Sequence, residues 1–271
     1  MSYKTLLTST LSPGVLSIKL NRPDVRNAFN EVLIQELGAA FKNEGMSSDV
    51  RVIVLEGEGK VFCAGGDLNW MKRSIDLSLP DNLKDTRALS NLFAFLNEFP
   101  KPVVGAIQGA AIGGGVGLVS ICDIVVATEN TIFSLSEVRL GIVPACIGPF
   151  VISKIGASHA RELFLSAERF TAKKAKEIGL VHSVTTDAVG LRKKVQEISE
   201  QITECGPGAL KLAKELVLNL SWPERRKQLP DCIEYISKTL AEARTSPEGQ
   251  EGVRAFLEKR EPSWITGTKK Q

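Results

Sequence analysis

Apolar residues along this chain keep two different periods, and the switches between them divide it into elements. Val15–Leu20 sets Leu16, Ile18 and Leu20 against Ser17 and Lys19, the alternation of a half-buried strand, and Tyr3–Leu7 reads as a shorter strand before it. After a turn at Asn21–Asp24, Leu33, Ile34, Leu37, Ala40 and Phe41 recur on one helical face, with Asn27 or Asn30 placed to cap it. Arg51–Leu55 (RVIVL), Pro102–Gln108 (PVVGAIQ) and Asp123–Ala127 (DIVVA) are nearly continuous apolar runs, which suit strands covered on both faces. Asn82–Glu98 has an amphipathic helical pattern, and Gly113–Ile121 reads as a glycine loop entering a buried helix. From Ala157 onward helical spacing takes over, in Ala157–Ala167, Ala172–Ile178, Leu191–Ile202, Gly208–Leu218, Pro230–Arg244 and Pro247–Lys259. Arg244–Gln250 reads as the turn between the last two, and the tail Glu261–Gln271 is expected to fray. This order predicts an α/β protein, a coil of β–α units with a helical C-terminal part and no low-complexity linker.

Composition narrows the chemistry. With 271 residues, 43% of them hydrophobic and 24% charged, the chain is long and apolar enough to bury an ordinary core. The net charge of +3 is small and dispersed, which argues against a nucleic-acid partner. His159 and His182 are the only histidines, so a His-cluster metal site is not expected and acid–base work falls to carboxylates. Five cysteines without a CxxC pair imply no disulfide framework and fit a reducing compartment, the cytoplasm or an organelle matrix of a eukaryotic cell. Gly, Asp or Ser interrupts every apolar stretch short of a membrane span, so no membrane partner is expected.

Three segments can carry chemistry. In Val61–Met71 (VFCAGGDLNWM) two glycines after Ala64 let the backbone turn sharply and approach a ligand, although a surface turn closed by Asp67 explains the same letters. In Gly109–Leu118 (GAAIGGGVGL) a glycine run at a helix start leaves N–H groups at the positive end of the helix dipole, suited to a phosphate or to charge developing on a carbonyl oxygen. Close helix–sheet packing is the competing explanation. Dinucleotide and ATP sites are excluded here, because no Lys-Ser/Thr follows the run and no acid closes a βαβ unit at the required distance. In Phe133–Pro149 (FSLSEVRLGIVPACIGP) Glu137 lies among Leu135, Val138 and Leu140, where desolvation would raise its pKa toward neutrality; an ion pair with Arg139 is the plainer alternative.

Taken in order, these segments resemble the crotonase (enoyl-CoA hydratase/isomerase) superfamily. The likeness runs through LNRPDVRNAFN, FCAGGDL, KPVVGAIQGAAIGGGVGLVSICDIVVA, FSLSEVRLGIVP, RFTAKKAKEIGLVHSV and EGVRAFLEKREPSW, almost the whole chain. It implies a β–α spiral core over residues 1–200 and a helical trimerisation region over 201–271. It also implies an acyl-CoA thioester as substrate, with coenzyme A part of that substrate and no separate cofactor, and assembly as a homotrimer or hexamer. By motif position the two backbone N–H groups that polarise the thioester fall on Gly66 and Gly114, each donor worth roughly 3–4 kcal/mol of barrier in other enzymes. Ala64 and its neighbours Gly65, Asp67 and Leu68 would line the coenzyme, while Arg26, Lys259 and Phe256 match positions near its phosphates.

One departure stands out. Common hydratases of this superfamily use two glutamates, three and twenty-three residues after the middle glycine; here the second is Glu137 and the first position holds Gly117. The GGGxGL and SEVRxG text resembles the methylglutaconyl-CoA hydratase branch, in which Glu137 would be the single proton-transfer group for adding or removing water. A single-glutamate enoyl-CoA isomerase and a catalytically silent acyl-CoA- or RNA-binding protein are the alternatives. Asp67 is expected to close its turn, His182 to be structural, and Cys63 and Cys146, which have no neighbouring histidine, to be non-catalytic.

Overall fold

A computed structural model of the chain describes residues 3–221 and 225–262; the tail from 263 on, expected to fray, lies outside the described residues. The strands β1 (Leu6–Ser12) and β2 (Val15–Leu20) form an antiparallel hairpin. The first strand starts later and runs further than its apolar letters suggest, since hydrogen bonding to β2 carries it through the largely exposed Thr8–Ser12. Helix α1 (Glu31–Ala40) is capped by Asn30, whose side chain accepts from Leu33 N–H, which settles the choice of cap. Asn27 is instead buried in a left-handed conformation and donates to the carbonyls of Glu58 and Val61.

Strand β3 (Val52–Gly57) is followed by α2 (Leu68–Ile75), the long α3 (Leu79–Asn97), β4 (Val103–Ile107), the short β5 (Ala110–Ile112) and α4 (Gly114–Ile121). Next come β6 (Ile124–Thr128), β7 (Ile132–Ser134), α5 (Gly148–Ser166), β8 (Arg169–Thr171), α6 (Ala172–Glu177) and β9 (Ser183–Thr185). Helices α7 (Ala188–Thr203), α8 (Pro207–Ser221), α9 (Arg225–Thr245) and α10 (Pro247–Leu257) follow. α5 begins before the expected Ala157, because its first half is kinked from the second at Gly156, where φ is +77°. α9 continues through Arg244, so the linking turn is shorter than the sequence suggests.

The larger sheet has the order β1-β2-β3-β4-β6-β9, parallel from β2 onward. Its central strands are apolar on both sides for a reason. Ile53, Leu55, Val103, Ile107, Val125 and Ala127 enter the main core, whereas Val52, Val54, Val104, Ala106 and Val126 pack with Leu191, Val195 and Ile202 of α7 on the other face. A small sheet of order β5-β7-β8 stands beside the first. The glycine-rich segments are the continuations of β3 and of β4–β5, and because β3 and β4 are parallel neighbours, both segments emerge from the same sheet end.

Among the described residues no helix is long and apolar enough to cross a membrane.

Candidate active site

The two glycine segments are held against each other by backbone contacts. Cys63 N–H donates to Ala110 O at 3.2 Å, and Ile112 N–H donates to Cys63 O at 2.9 Å. Gly65, with φ of +88°, lies so close that a Cβ there would stand 3.0 Å from Ile112 O and 3.8 Å from Gly114 N. Only glycine takes this conformation and approach without strain. Gly115 is packed as tightly, since a Cβ would meet Cys63 O at 2.3 Å.

Phe29 joins both segments from below. Its N–H donates to Gly65 O at 2.7 Å, its carbonyl accepts from Asp67 N–H at 2.8 Å, and its ring lies 3.2 Å from where a Gly114 Cβ would be. The pairing with Gly65 and Asp67 leaves the N–H of the residue between them, Gly66, facing away. Among the described residues neither the Gly66 nor the Gly114 N–H meets an acceptor. Gly114 is also the first residue of α4, so the helix dipole adds to its partial positive charge. Phe29 was not singled out from the sequence; its buried ring is indistinguishable from any core phenylalanine until the pairing with Gly65 and Asp67 is known.

Asp67 is buried at 4% exposure and caps α2, accepting from the N–H groups of Asn69 and Trp70. Burial alone would raise its pKa, but an ion pair with Arg22 at 2.7 Å and these two N–H groups outweigh it and hold the carboxyl below its ordinary range. With its acceptor sites so engaged, Asp67 positions the turn. Ala64 and Leu68 flank this loop, Leu68 half exposed, and Met71 lies against Gly66. Arg26 is exposed in a left-handed turn, its carbonyl accepting from Ala64 N–H. Phe256, 47% exposed, and Lys259 stand at the end of α10, which packs on α2 and on the turn carrying Glu137.

Glu137 arrives through the small sheet. β7 runs parallel to β5 with Ser134 opposite Ile112, and Gly113 N–H donates to Ser134 O at 2.9 Å. Three residues on, Glu137 opens a single 3₁₀ turn that ends at Gly141, whose left-handed backbone is pressed against Glu248 of α10. The carboxyl therefore comes to rest at the entrance of α4, where a Cβ on Gly113 would be 3.0 Å from Oε1. Oε2 is shut off from solvent and has no hydrogen-bond partner. Burial pushes the pKa up to about 7, with the residue's own N–H opposing the rise. The Arg139 ion pair considered above does not form, and Arg139 faces outward.

At Gly117 a side chain has no room: a Cβ would meet Ile147 Cγ2 at 2.3 Å and Phe93 Cε1 at 2.9 Å. Phe93 also packs against Phe29 and Phe150, with centroids 5.9 and 6.2 Å away, so one aromatic row backs the whole site. The cysteines nearby are poor nucleophiles, because burial pushes Cys63 up to about 12 and raises Cys146 as well. His182 uses Nδ1 to accept Val125 N–H at 2.9 Å, a structural bond between β6 and the start of β9. Among the described residues no group of three potential metal ligands occurs.

Known proteins share this architecture and sequence. The enoyl-CoA hydratase/isomerase family profile matches residues 10–267. The 2,3-dehydroadipyl-CoA hydratase of Escherichia coli is 34% identical, covering 92% of this chain and 94% of its own, and the trans-2-decenoyl-[acyl-carrier-protein] isomerase of Streptococcus mutans is 31% identical over 97% and 99%. Among solved structures, an enoyl-CoA hydratase from Shewanella pealeana is 37% identical with a TM-score of 0.77, covering 96% of both chains. One from Mycobacterium avium reaches a TM-score of 0.84 at 30% identity, covering 97% of this chain and 100% of its own. With the fold, the paired glycine loops and these relatives in agreement, the chain belongs to the enoyl-CoA hydratase/isomerase family of the crotonase superfamily.

Proposed function

We propose that the protein adds water to, or removes it from, the α,β double bond of a 2-enoyl-CoA, with Glu137 as its only proton-transfer carboxyl. One observation carries this reading: a buried carboxyl with a free oxygen lies at the entrance of α4, beside the unengaged N–H of Gly114 and the loop that presents Gly66. The thioester oxygen accepts from both N–H groups, which polarises the conjugated system. Ionised Glu137 takes a proton from water as the water oxygen bonds to Cβ, and the double-bond electrons move into an enolate whose charge rests on the thioester oxygen. Glu137 then returns its proton to Cα, so one water is added and the carboxylate is regenerated.

Ala64, Gly65 and Leu68 form the rim along which the coenzyme lies, and Arg26, Phe256 and Lys259 meet its phosphate end. Coenzyme A enters as part of the substrate, and the scheme needs no other cofactor. A branched, methylglutaconyl-like acyl group is the finer assignment, supported by the GGGxGL and SEVRxG text. Assembly as a trimer or hexamer is part of the same proposal, supported by the exposed Leu212 and Leu216 on one face of α8.

The packing at Gly117 favours one alternative. With Ile147 and Phe93 filling that position, a lone glutamate suffices for moving a proton between Cα and Cγ, which is isomerisation. Crotonyl-CoA, 3-methylglutaconyl-CoA and a 3-enoyl-CoA, each incubated with the enzyme, separate the two by product: a hydroxyacyl-CoA supports hydration, and double-bond migration alone overturns it. No turnover with tight acyl-CoA binding would instead establish a silent binding protein.

A further inference from the structure

Arg244 has no role in the scheme above and is placed where few arginines are left. It lies in the last turn of α9, is 8% exposed, and its Nη1 is shut off from solvent without a hydrogen-bond acceptor. The guanidinium carbon stands 5.0 Å from the centre of the Trp70 ring, and Trp70 belongs to the helix that begins at the Gly66–Asp67 loop. Arginine keeps its charge even where burial lowers its pKa, so an unmatched buried donor here is costly. Asp85 is the carboxylate within its electrostatic reach, but that group accepts from Trp70 Nε1 at 3.2 Å and makes no hydrogen bond to Arg244.

The position of the cation relative to Glu137 is informative. The Cys146 thiol is within electrostatic reach of both Arg244 and Glu137. Burial sets the rise in the Glu137 pKa, with the residue's own N–H opposing it. Through Trp70 the guanidinium is packed against the helix that leads out of the Gly66–Asp67 loop.

We infer that Arg244 receives a carboxylate at the far end of the acyl chain, so that the preferred substrates are short enoyl-CoA thioesters of dicarboxylic acids. The inference rests on the acyl-CoA reading of the site. A carboxylate supplies the acceptor that Nη1 lacks and the charge that a buried guanidinium favours, with Trp70 stacking the cation in place. A neutral chain end would leave both unmet.

Saturated thioesters test this without depending on turnover. Dissociation constants for glutaryl-CoA and for valeryl-CoA, of equal chain length but ending in a methyl group, are measured by calorimetry on the wild type, Arg244→Lys and Arg244→Met. The wild type should bind glutaryl-CoA roughly tenfold to a hundredfold more tightly, the range expected for a charge-assisted hydrogen bond. The preference should shrink in Arg244→Lys and fall to about one in Arg244→Met. Equal constants in the wild type, or a preference that persists in Arg244→Met, would overturn the inference. The wild-type comparison decides the matter even where a variant does not fold. Failure of both thioesters to bind would remove the acyl-CoA reading itself, and crotonyl-CoA turnover checks that reading separately.

Discussion

Glu137 titrates near neutrality because its carboxyl is buried at the mouth of a helix with one oxygen unsatisfied, so its charge is poorly solvated. The scheme starts from the ionised form, and kcat/KM should therefore fall as pH drops through about 7. Stability should respond in the opposite sense. A pKa raised from 4.5 to about 7 means that the native state retains a proton the unfolded chain releases. The contribution is complete below the unfolded value and is lost as pH rises through the folded one, where the buried charge costs ~3 kcal/mol. Glu137→Gln should accordingly lower kcat by roughly a hundredfold or more, while raising Tm at about pH 8 by roughly 5 °C and changing it little at acid pH. Thermal melts at the two pH values check the second half; an unchanged Tm difference across them would contradict the burial account. The Glu137 carboxyl was legible beforehand because a glutamate among Leu135, Val138 and Leu140 stands out. Arg244 was not, since it lies in a mixed stretch of small and polar residues near a helix end, and its burial depends on α9 packing against α2 and α3.

At the scale of elements, glycine and phenylalanine set the geometry. Gly113 combines a φ of +52° with a Glu137 oxygen 3.0 Å from its would-be Cβ, so Gly113→Ala should displace the carboxyl and reduce kcat with little effect on acyl-CoA affinity. Phe29→Ala removes the ring that supports Gly114 and should cost about 3–5 kcal/mol of stability, measured by denaturant unfolding. Gly117→Glu, which restores the second carboxylate by sequence alone, should destabilise by about 1–3 kcal/mol and gain no hydratase activity, because Ile147 and Phe93 occupy the space. A gain in hydration rate would contradict that packing argument. The apolar runs at β3, β4 and β6 announced strands buried on two faces, and the structure shows why: α7 covers the face that the main core leaves. The extent of β1 and the start of α5 were hidden for physical reasons. The strand's later residues are exposed and stay extended through pairing with β2, and the first half of α5 sits behind a glycine kink with no periodic continuation.

The whole molecule brings four separated stretches to one place: the loop after β3, the loop after β5, the turn after β7, and the C-terminal helices packed over α2 and α3. Resemblance made this convergence readable as a family trait, but the distances that make it chemical come from pairing at Phe29, Cys63 and Ser134. The proposed trimer or hexamer should appear in sedimentation as a mass three or six times the 29.4 kDa of one chain, and a monomer at working concentration would refute that part. The central claim is that one carboxyl, set beside two backbone donors, carries out hydration. The most direct measurement is the product formed from crotonyl-CoA by the wild type and by Glu137→Gln, followed by mass spectrometry. The account predicts a product heavier by one water in the wild type and its near-complete loss in the variant. A hydroxyacyl product formed equally by both proteins would contradict it.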